Sequence, residues 1–188
     1  MRQGVFNPLI LLAALATLAV ACRGPGHGSP AERPTPPWEA ARVPGEAGRW
    51  RADRLVALDA AGLLAEAPPG RIVVVALWAT WCEPCIAEMP ELQAFAAAHP
   101  DVLVLGLATD PPGAAPLIQT VLDRVRPTYP QALLEGGEGA LLARVSLEWD
   151  GILPKTLVIR DGAALRAPLE APVTRASIEA ALAPYRAR

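Results

Sequence analysis

The chain has 188 residues, a length that suits one domain of ordinary size with a short additional segment. Its 17 basic and 19 acidic residues are spread along the sequence without a basic stripe or a charged tail, which argues against a nucleic-acid partner. Three cysteines are too few for a disulfide-stapled scaffold, and two of them form a single C-x-x-C.

Residues 1–21 have the pattern of a signal peptide, with a short basic start and then an apolar run. The run ends in Leu18-Ala19-Val20-Ala21-Cys22. This ending resembles a bacterial lipoprotein signal, in which the cysteine becomes the lipidated first residue, so Cys22 is the predicted lipidation site. A signal that is cleaved without lipidation and an uncleaved membrane anchor stay open as alternatives. All three interpretations predict that the rest of the chain lies outside the cytoplasm.

Residues 22–49 are rich in proline and glycine and contain few apolar side chains. Such a composition buries too little apolar surface to offset the entropy of ordering the chain, and its prolines favour an extended spacer. We predict a tether over residues 22–49 that holds a domain of residues 50–188 away from the membrane. Trp38 is the one large apolar residue of the tether, and the sequence leaves open whether it docks on the domain.

From Trp50 onward, strand patterns and helix patterns alternate. Residues 71–78 (RIVVVALW) are a β-branched run that predicts a strand buried on both faces. A helix with a kink at Pro90 is predicted over residues 83–98, and a second buried strand over residues 102–108. The later elements are a helix over 114–126, a strand over 129–134, a short helix over 139–145, a hairpin of 156–160 with 164–169 across Asp161-Gly162, and a last helix that Thr174 caps and that ends near Tyr185. This order predicts an α/β sandwich with a mixed sheet.

The segment WATWCEPC, residues 78–85, places the C-x-x-C between a buried strand and a helix. Positions i and i+3 of the first helical turn share one face, so the sulfurs of Cys82 and Cys85 can reach bonding distance. Free N–H groups and the helix dipole stabilise a thiolate at Cys82. Pro84 is tolerated because N–H groups of the first turn have no helical partner. The pattern predicts a redox-active pair in which Cys82 is the nucleophile and Cys85 the resolving thiol.

Other uses of the two cysteines are less well supported. A structural zinc site needs four Cys or His ligands, and only Cys22, His27 and His99 are present besides the pair. An inert disulfide would close a three-residue loop and stabilise the fold little. A copper-delivery site more usually has C-x-x-x-C with a distant histidine, and a peroxiredoxin would have proline and threonine at Val75 and Ala79. We therefore expect no metal at this site.

WATWCEPC, the following Glu88-Met89-Pro90 and the later segment GILPKT (residues 151–156) resemble the thioredoxin superfamily, specifically its extracytoplasmic TlpA/ResA-like branch. The resemblance covers roughly residues 51–186. It implies a thioredoxin-like sandwich in which helices flank a mixed central β-sheet. It also implies that Pro154 is a cis-proline facing the cysteine pair and that an extended substrate pairs with the backbone beside it. Trp81, Leu153 and Pro154 are the corresponding candidates for substrate binding.

The sequence departs from that family at two positions. Ordinary thioredoxins carry a buried aspartate in the strand before the motif, where this chain has Ala76. The acceptor for the Cys85 proton must then come from elsewhere, and the resemblance to ResA-like proteins supports Glu88, one turn after Cys85, in that role. The second departure is Lys155, where the family usually has threonine; we expect its side chain to point to solvent.

Glu83 and Pro84, between the two cysteines, bear on the direction of electron flow. A carboxylate at Glu83 opposes the positive helix end and disfavours the Cys82 thiolate, which makes the disulfide harder to reduce and the protein a better reductant.

We predict a membrane-anchored thiol–disulfide oxidoreductase that reduces disulfides of extracytoplasmic client proteins and needs no bound cofactor. The resemblance suggests clients of cytochrome c maturation or copper-site assembly, with electrons from a membrane thiol transporter. A non-enzymatic metal-binding assembly module and a disulfide-donating oxidant are the alternatives.

Overall fold

The computed structural model describes residues 35–111 and 113–186. The predicted signal peptide, Cys22 and the predicted tether up to residue 34 lie outside the described residues. The folded unit begins at Thr35, so residues 35–49, which we assigned to the tether, belong to it. Within the described ranges, no helix is both long and apolar enough to cross a membrane.

Strands and helices alternate along the described part of the chain. The strands are β1 (Ala57–Leu58), β2 (Val73–Trp78), β3 (Leu103–Ala108), β4 (Gln131–Leu134), β5 (Lys155–Arg160) and β6 (Ala163–Ala164). The helices are α1 (Ala60–Glu66), α2 (Glu83–Ala98), α3 (Ala115–Val125), α4 (Glu138–Arg144) and α5 (Arg175–Arg186), with short 3₁₀ helices at Pro37–Ala41 and Ala52–Arg54. β1 was not predicted, because a two-residue strand carries no periodic signal. The seven-residue helix α1 was not predicted either.

The strands form one mixed sheet in the order β1-β4-β3-β2-β5-β6. β1, β4, β3 and β2 run parallel, whereas β5 is antiparallel to β2 and β6 to β5. Helices cover both faces of the sheet, which confirms the predicted α/β sandwich. The carboxyl ends of the parallel strands consequently meet at one edge of the sheet, together with the beginning of β5.

The central strand β2 is buried on both faces, as its unbroken apolar run predicts. Successive side chains of a strand point to opposite faces. Val73, Val75 and Leu77 pack in one cluster with Leu63 of α1 and Leu141 of α4. The intervening side chains pack on the other side, with residues of α2, α3 and α5 (Val74 and Ala76 with Leu92, Phe95 and Ile178; Trp78 with Ile86 and Ile118).

The predicted hairpin is confirmed at its turn but not over its whole second strand. Asp161 and Gly162 have φ values of 50° and 79°, the left-handed pair that a tight two-residue hairpin turn requires. β6 ends at Ala164 instead of Leu169, although the Leu165 N–H still donates to the Val158 carbonyl (2.8 Å) and the Leu169 N–H to the Thr156 carbonyl (2.9 Å). Ala164 pairs with Ile159 and Leu169 pairs with Thr156, so the segment after β6 is longer than the part of β5 that it faces, and its extra residues interrupt the ladder.

Two predicted helices have the expected limits. α2 runs from Glu83 to Ala98 and continues through Pro90. α5 begins after Thr174, whose hydroxyl accepts the Ser177 N–H (3.1 Å) while the Ser177 hydroxyl accepts the Thr174 N–H (2.9 Å). This reciprocal pair satisfies two N–H groups at the helix start and confirms Thr174 as the cap.

The N-terminal segment, residues 35–54, packs on the domain through two tryptophans. Trp38 is 3% exposed and lies in the same cluster as Leu58, Leu63 and Leu141. Trp50 is also buried, and its indole N–H donates to the Pro127 carbonyl (2.6 Å). Apolar contact by these two side chains offsets the cost of ordering a proline- and glycine-rich stretch.

We predict that Trp38→Ala lowers the free energy of unfolding by about 3–5 kcal/mol, the usual cost of removing a buried tryptophan side chain. Trp81→Ala is the matched control: its side chain is 71% exposed, and we expect a change within about 0.5 kcal/mol. Urea titration of the three proteins measures both values. Equal effects of the two substitutions would mean that residues 35–49 do not belong to the folded core.

Candidate active site

The cysteine motif and the predicted cis-proline meet at the edge of the sheet where the parallel strands end. β2 leads from Trp78 into the motif. Leu77 pairs with Lys155 in the antiparallel β2–β5 ladder, so Pro154, the preceding residue, lies opposite Trp78. The Leu153–Pro154 peptide bond is cis, as the family resemblance implied. Tertiary structure therefore brings Leu153 and Pro154 next to the motif, although they are far from it in sequence.

Cys82 and Cys85 form a disulfide at the start of α2. Cys82 is the residue that caps this helix, and its sulfur accepts the Cys85 N–H (3.4 Å). The two residues are 4% and 3% exposed and belong to an apolar cluster with Trp50 and Met89. Leu153 packs against the same cluster. The disulfide is thus held between α2, the N-terminal segment and the Leu153–Pro154 loop.

Glu88 lies on α2 one turn after Cys85 and is buried. One carboxylate oxygen accepts the Val173 N–H (2.8 Å), in the loop that precedes α5. Burial raises the pKa of Glu88, and the Val173 hydrogen bond offsets this only in part. A buried carboxyl whose neutral form is favoured can hold a proton inside the domain. The role of Glu88 as the proton acceptor for Cys85 remains a prediction.

A solvent-facing cavity of about 360 Å³ lies beside Glu88. Its lining is mainly apolar and comes from the outer side of α2 and from the loop before α5 (Pro84, Ala87, Glu88, Glu91, Ala171, Pro172, Val173, Thr174). Glu88 therefore borders a cavity that is open to solvent.

Position 76, where ordinary thioredoxins carry an aspartate, is buried in the centre of the sheet. Ala76 pairs with Gly106 of β3 and with Thr156 of β5. Position 76 supplies no carboxyl group here. Among the described residues, Glu88 on α2 is the one carboxyl group that is buried.

Trp81 and the two residues between the cysteines are exposed. The Glu83 side chain is 80% exposed, and its carboxylate lies 3.8 Å from the Arg124 guanidinium. Pro84 is exposed at the second position of α2, where a proline costs no helical hydrogen bond. The exposed indole of Trp81 can meet a partner molecule directly. Water screens the charge of Glu83 at this exposure, which weakens the effect on the Cys82 thiolate that we expected.

The expectation that Lys155 points to solvent is wrong. Its side chain is 13% exposed, and its ammonium group contacts the Asp150 carboxylate (2.7 Å) and lies 5.8 Å from the centre of the Trp149 ring. The other oxygen of Asp150 accepts the Ile152 N–H (3.1 Å). Lys155 therefore braces the loop that carries Leu153 and Pro154, because it ties the first residue of β5 back to residue 150.

A groove of about 400 Å³ lies beside Pro154. Its walls are the loop before β5 and the segment after β6 (Glu148, Asp150, Ile152, Leu153, Pro154, Lys155, Ala167, Pro168, Leu169, Glu170, Ala171). Ile152 is exposed at its rim. Pro154, in the wall of this groove, lies opposite Trp78 in the β2–β5 register.

The sequence analysis missed one side chain that shapes the motif. Asp110 follows β3, and its carboxylate accepts both the hydroxyl (2.5 Å) and the backbone N–H (3.1 Å to each oxygen) of Thr80. Thr80 lies two residues before Cys82 in the turn between β2 and α2. The sequence contains a signal that could have predicted this contact. Neighbouring parallel strands end at the same edge of a sheet, so a carboxylate that follows β3 lies beside the residues that follow β2.

Together, the sheet order, the buried cysteine disulfide at a helix start and the cis-proline beside it define a thioredoxin-fold protein. No protein-family model matches the chain. Over 91 residues it is 31% identical to the thiol-disulfide oxidoreductase ResA of Oceanobacillus iheyensis, a match that spans 48% of this chain and 45% of ResA. The chain thus matches about half the length of this curated relative.

Solved structures give the same fold. The thioredoxin-related protein of Neisseria meningitidis serogroup B is 25% identical, with a TM-score of 0.55 over 65% of this chain and 90% of that one. A DsbF homologue from Corynebacterium diphtheriae is 22% identical, with a TM-score of 0.52 over 62% of this chain and 73% of that one. The chain is therefore a thioredoxin-fold protein similar to ResA.

The raised pKa of Glu88 predicts a pH-dependent stability. Below the ordinary glutamate pKa of about 4.3 the carboxyl is neutral in both the folded and the unfolded state. As the pH rises through the raised pKa of the folded state, stability is lost, because the unfolded chain releases the proton more readily. Glu88→Gln stays neutral and keeps an oxygen for the Val173 N–H, so we expect it to be more stable than the original protein at pH 7 and equally stable near pH 4.

Thermal unfolding of both proteins between pH 4 and pH 8 measures this difference. Glu91→Gln is the matched control, because Glu91 is an exposed residue of the same helix whose carboxylate accepts the Arg175 N–H (2.8 Å). We expect no gain in stability at pH 7 from this control. A melting temperature of Glu88→Gln at or below that of the original protein at pH 7 would contradict the argument.

Proposed function

We propose that the protein is a thiol–disulfide oxidoreductase that donates electrons to disulfides of client proteins. The observation that carries this proposal is the Cys82–Cys85 disulfide at the start of α2, next to the Leu153–Pro154 loop. Both sulfurs sit in an apolar environment, and exposed apolar side chains flank the two segments: Trp81 directly before Cys82 and Ile152 directly before Leu153. Such a site suits a protein substrate, whose own apolar residues can cover the disulfide during exchange.

The exchange begins with the reduced protein. The Cys82 thiolate attacks one sulfur of a client disulfide, forming a mixed disulfide and releasing the other client sulfur as a thiolate, which takes up a proton. Cys85 then gives its proton to the Glu88 carboxylate and attacks the Cys82 sulfur. The second client sulfur leaves and is protonated, the Cys82–Cys85 disulfide forms, and two electrons have moved to the client.

Glu88 suits the second step because of its burial. A carboxylate in an apolar environment gains more from accepting a proton than one in water, and it lies on the same helix face as Cys85. The cavity beside it then allows the proton to return to solvent. No bound cofactor is needed, since the two sulfurs carry the electrons.

The setting that we propose is extracytoplasmic. The N-terminal pattern supports export with attachment to the membrane through Cys22, and stable disulfide chemistry belongs to oxidising compartments. A membrane thiol carrier would then supply the electrons that reduce Cys82–Cys85 again. Clients with paired cysteines, such as apocytochrome c or a copper-site assembly factor, fit this chemistry.

We predict that Cys85→Ser traps a mixed disulfide between Cys82 and a client protein, because no thiol remains to resolve it. Non-reducing electrophoresis of extracts from cells that express this variant detects the adduct, and its release by dithiothreitol identifies the client. Cys82→Ser is the matched control and should form no adduct. If neither variant forms an adduct, and the reduced protein binds metal at the two cysteines, the metal-binding alternative replaces the enzyme.

The reduction potential of the Cys82–Cys85 pair tests the direction of electron flow. Equilibration with glutathione or dithiothreitol buffers should give a value near or below about −220 mV, in the range of thioredoxin and glutaredoxins. A value near about −120 mV is typical of a disulfide donor and would reverse the proposed direction.

A further inference from the structure

Asp110 holds the turn that joins β2 to α2 and leads into Cys82. Among the described residues, its side chain makes the most hydrogen bonds to this turn. Thr80 donates both its backbone N–H and its hydroxyl to the two oxygens of this carboxylate. Next to this contact, the Thr109 N–H donates to the Trp78 carbonyl (2.8 Å), which extends the β2–β3 ladder by one residue. Residues 78–80 are therefore fastened to the end of β3, and Cys82 lies two residues after Thr80.

Asp110 also brings a negative charge close to the start of α2. The helix start carries partial positive charge, which would stabilise a thiolate at Cys82. Asp110 is half-buried and held by three hydrogen bonds, whereas the Glu83 side chain is largely in water and has Arg124 beside it. Water and salt screen a half-buried charge less than an exposed one. The charge of Asp110 is thus less screened than that of Glu83, and it lies at the turn that leads into Cys82.

We propose that Asp110 is a positioning residue for Cys82, which fixes the turn that presents the nucleophile and, through its charge, keeps the reduced protein a strong electron donor. This inference rests on the proposed thiol–disulfide exchange. The sign follows from charge: a carboxylate near the Cys82 thiolate raises the free energy of the reduced, ionised state. The disulfide then becomes harder to reduce, and the dithiol gives up its electrons more readily.

Asp110→Asn separates charge from geometry, because the amide oxygen can still accept both Thr80 donors. We expect the equilibrium with glutathione to move about threefold to tenfold towards the dithiol, where tenfold corresponds to about 30 mV for two electrons. The pKa of the Cys82 thiol, followed by thiolate absorbance in the reduced full-length protein, should fall. Loss of a structural contact alone would not lower this pKa.

Asp161→Asn is the matched control. Asp161 also accepts a backbone N–H, that of Gly70 (2.6 Å), but it follows β5 at the opposite edge of the sheet. We expect no change in the glutathione equilibrium or in the thiol pKa. An Asp110→Asn protein that behaves like Asp161→Asn, or that shifts the equilibrium towards the disulfide, would overturn the role of the charge.

Thr80→Val tests the positioning role and does not depend on how Asp110 variants fold. It removes the hydroxyl donor and keeps the carboxylate, so the reaction of reduced Cys82 with a small aromatic disulfide should slow severalfold. Thr80→Ser, which keeps a hydroxyl, should restore the rate. A rate for Thr80→Val equal to that of the original protein would overturn this role.

Failure of the proposed function gives a different result from failure of the Asp110 inference. If the original protein itself exchanges with no disulfide, the proposed function fails.

Discussion

Strand β2 pairs in parallel with β3 on one side and antiparallel with β5 on the other, and this mixed pairing brings the residues after β3 and the loop before β5 to the turn that carries Cys82. The parallel neighbour ends where β2 ends, so Asp110 reaches the turn after β2. The antiparallel neighbour begins where β2 ends, so the residues before β5, Leu153 and Pro154, face the same turn. A sheet with β5 in the parallel direction would carry that loop to the opposite edge, away from Cys82.

The inner side of the site is apolar, and this limits which charged species it can hold. The disulfide is neutral and fits the cluster of Trp50, Met89 and Leu153 without a desolvation penalty. The one acidic side chain buried beside it on α2, Glu88, has a raised pKa for the same reason. Of the carboxylates near the start of α2, Glu83 is largely exposed and Asp110 is half-buried, so water reaches both of them. Burial thus distinguishes Glu88, whose neutral form is favoured, from these two carboxylates.

The N-terminal segment, residues 35–54, is part of the surroundings of the cysteine pair. Trp50 packs against the cysteines, and Gln119 of α3 holds this segment by accepting the Ala52 N–H (2.8 Å) and donating to the Trp50 carbonyl (3.0 Å). Composition alone predicted a tether up to residue 49, because proline and glycine dominate the stretch. Trp38 is nevertheless buried in the core, Ala41 is buried beside the cysteine cluster, and the Ala41 carbonyl accepts the Arg51 N–H (2.7 Å), so the stretch is part of the fold. Composition averages over the stretch and cannot register a single anchoring side chain.

Local sequence determined the chemistry of this protein. The apolar run of β2 followed directly by C-x-x-C predicts two thiols at a helix start, and the structure has their disulfide there, because a strand, a turn and a first helical turn depend on neighbouring residues. The Asp161-Gly162 turn and the Thr174 cap were predictable for the same reason. Tertiary structure alone decided what surrounds the thiols. Asp110, Trp50, the paired Lys155 and Val173 reach the site from other elements, and the order and direction of strands place them there. The order and direction of the strands depend on burying both faces of one sheet at once. This condition involves the whole chain, so it cannot be predicted from a local pattern of residues.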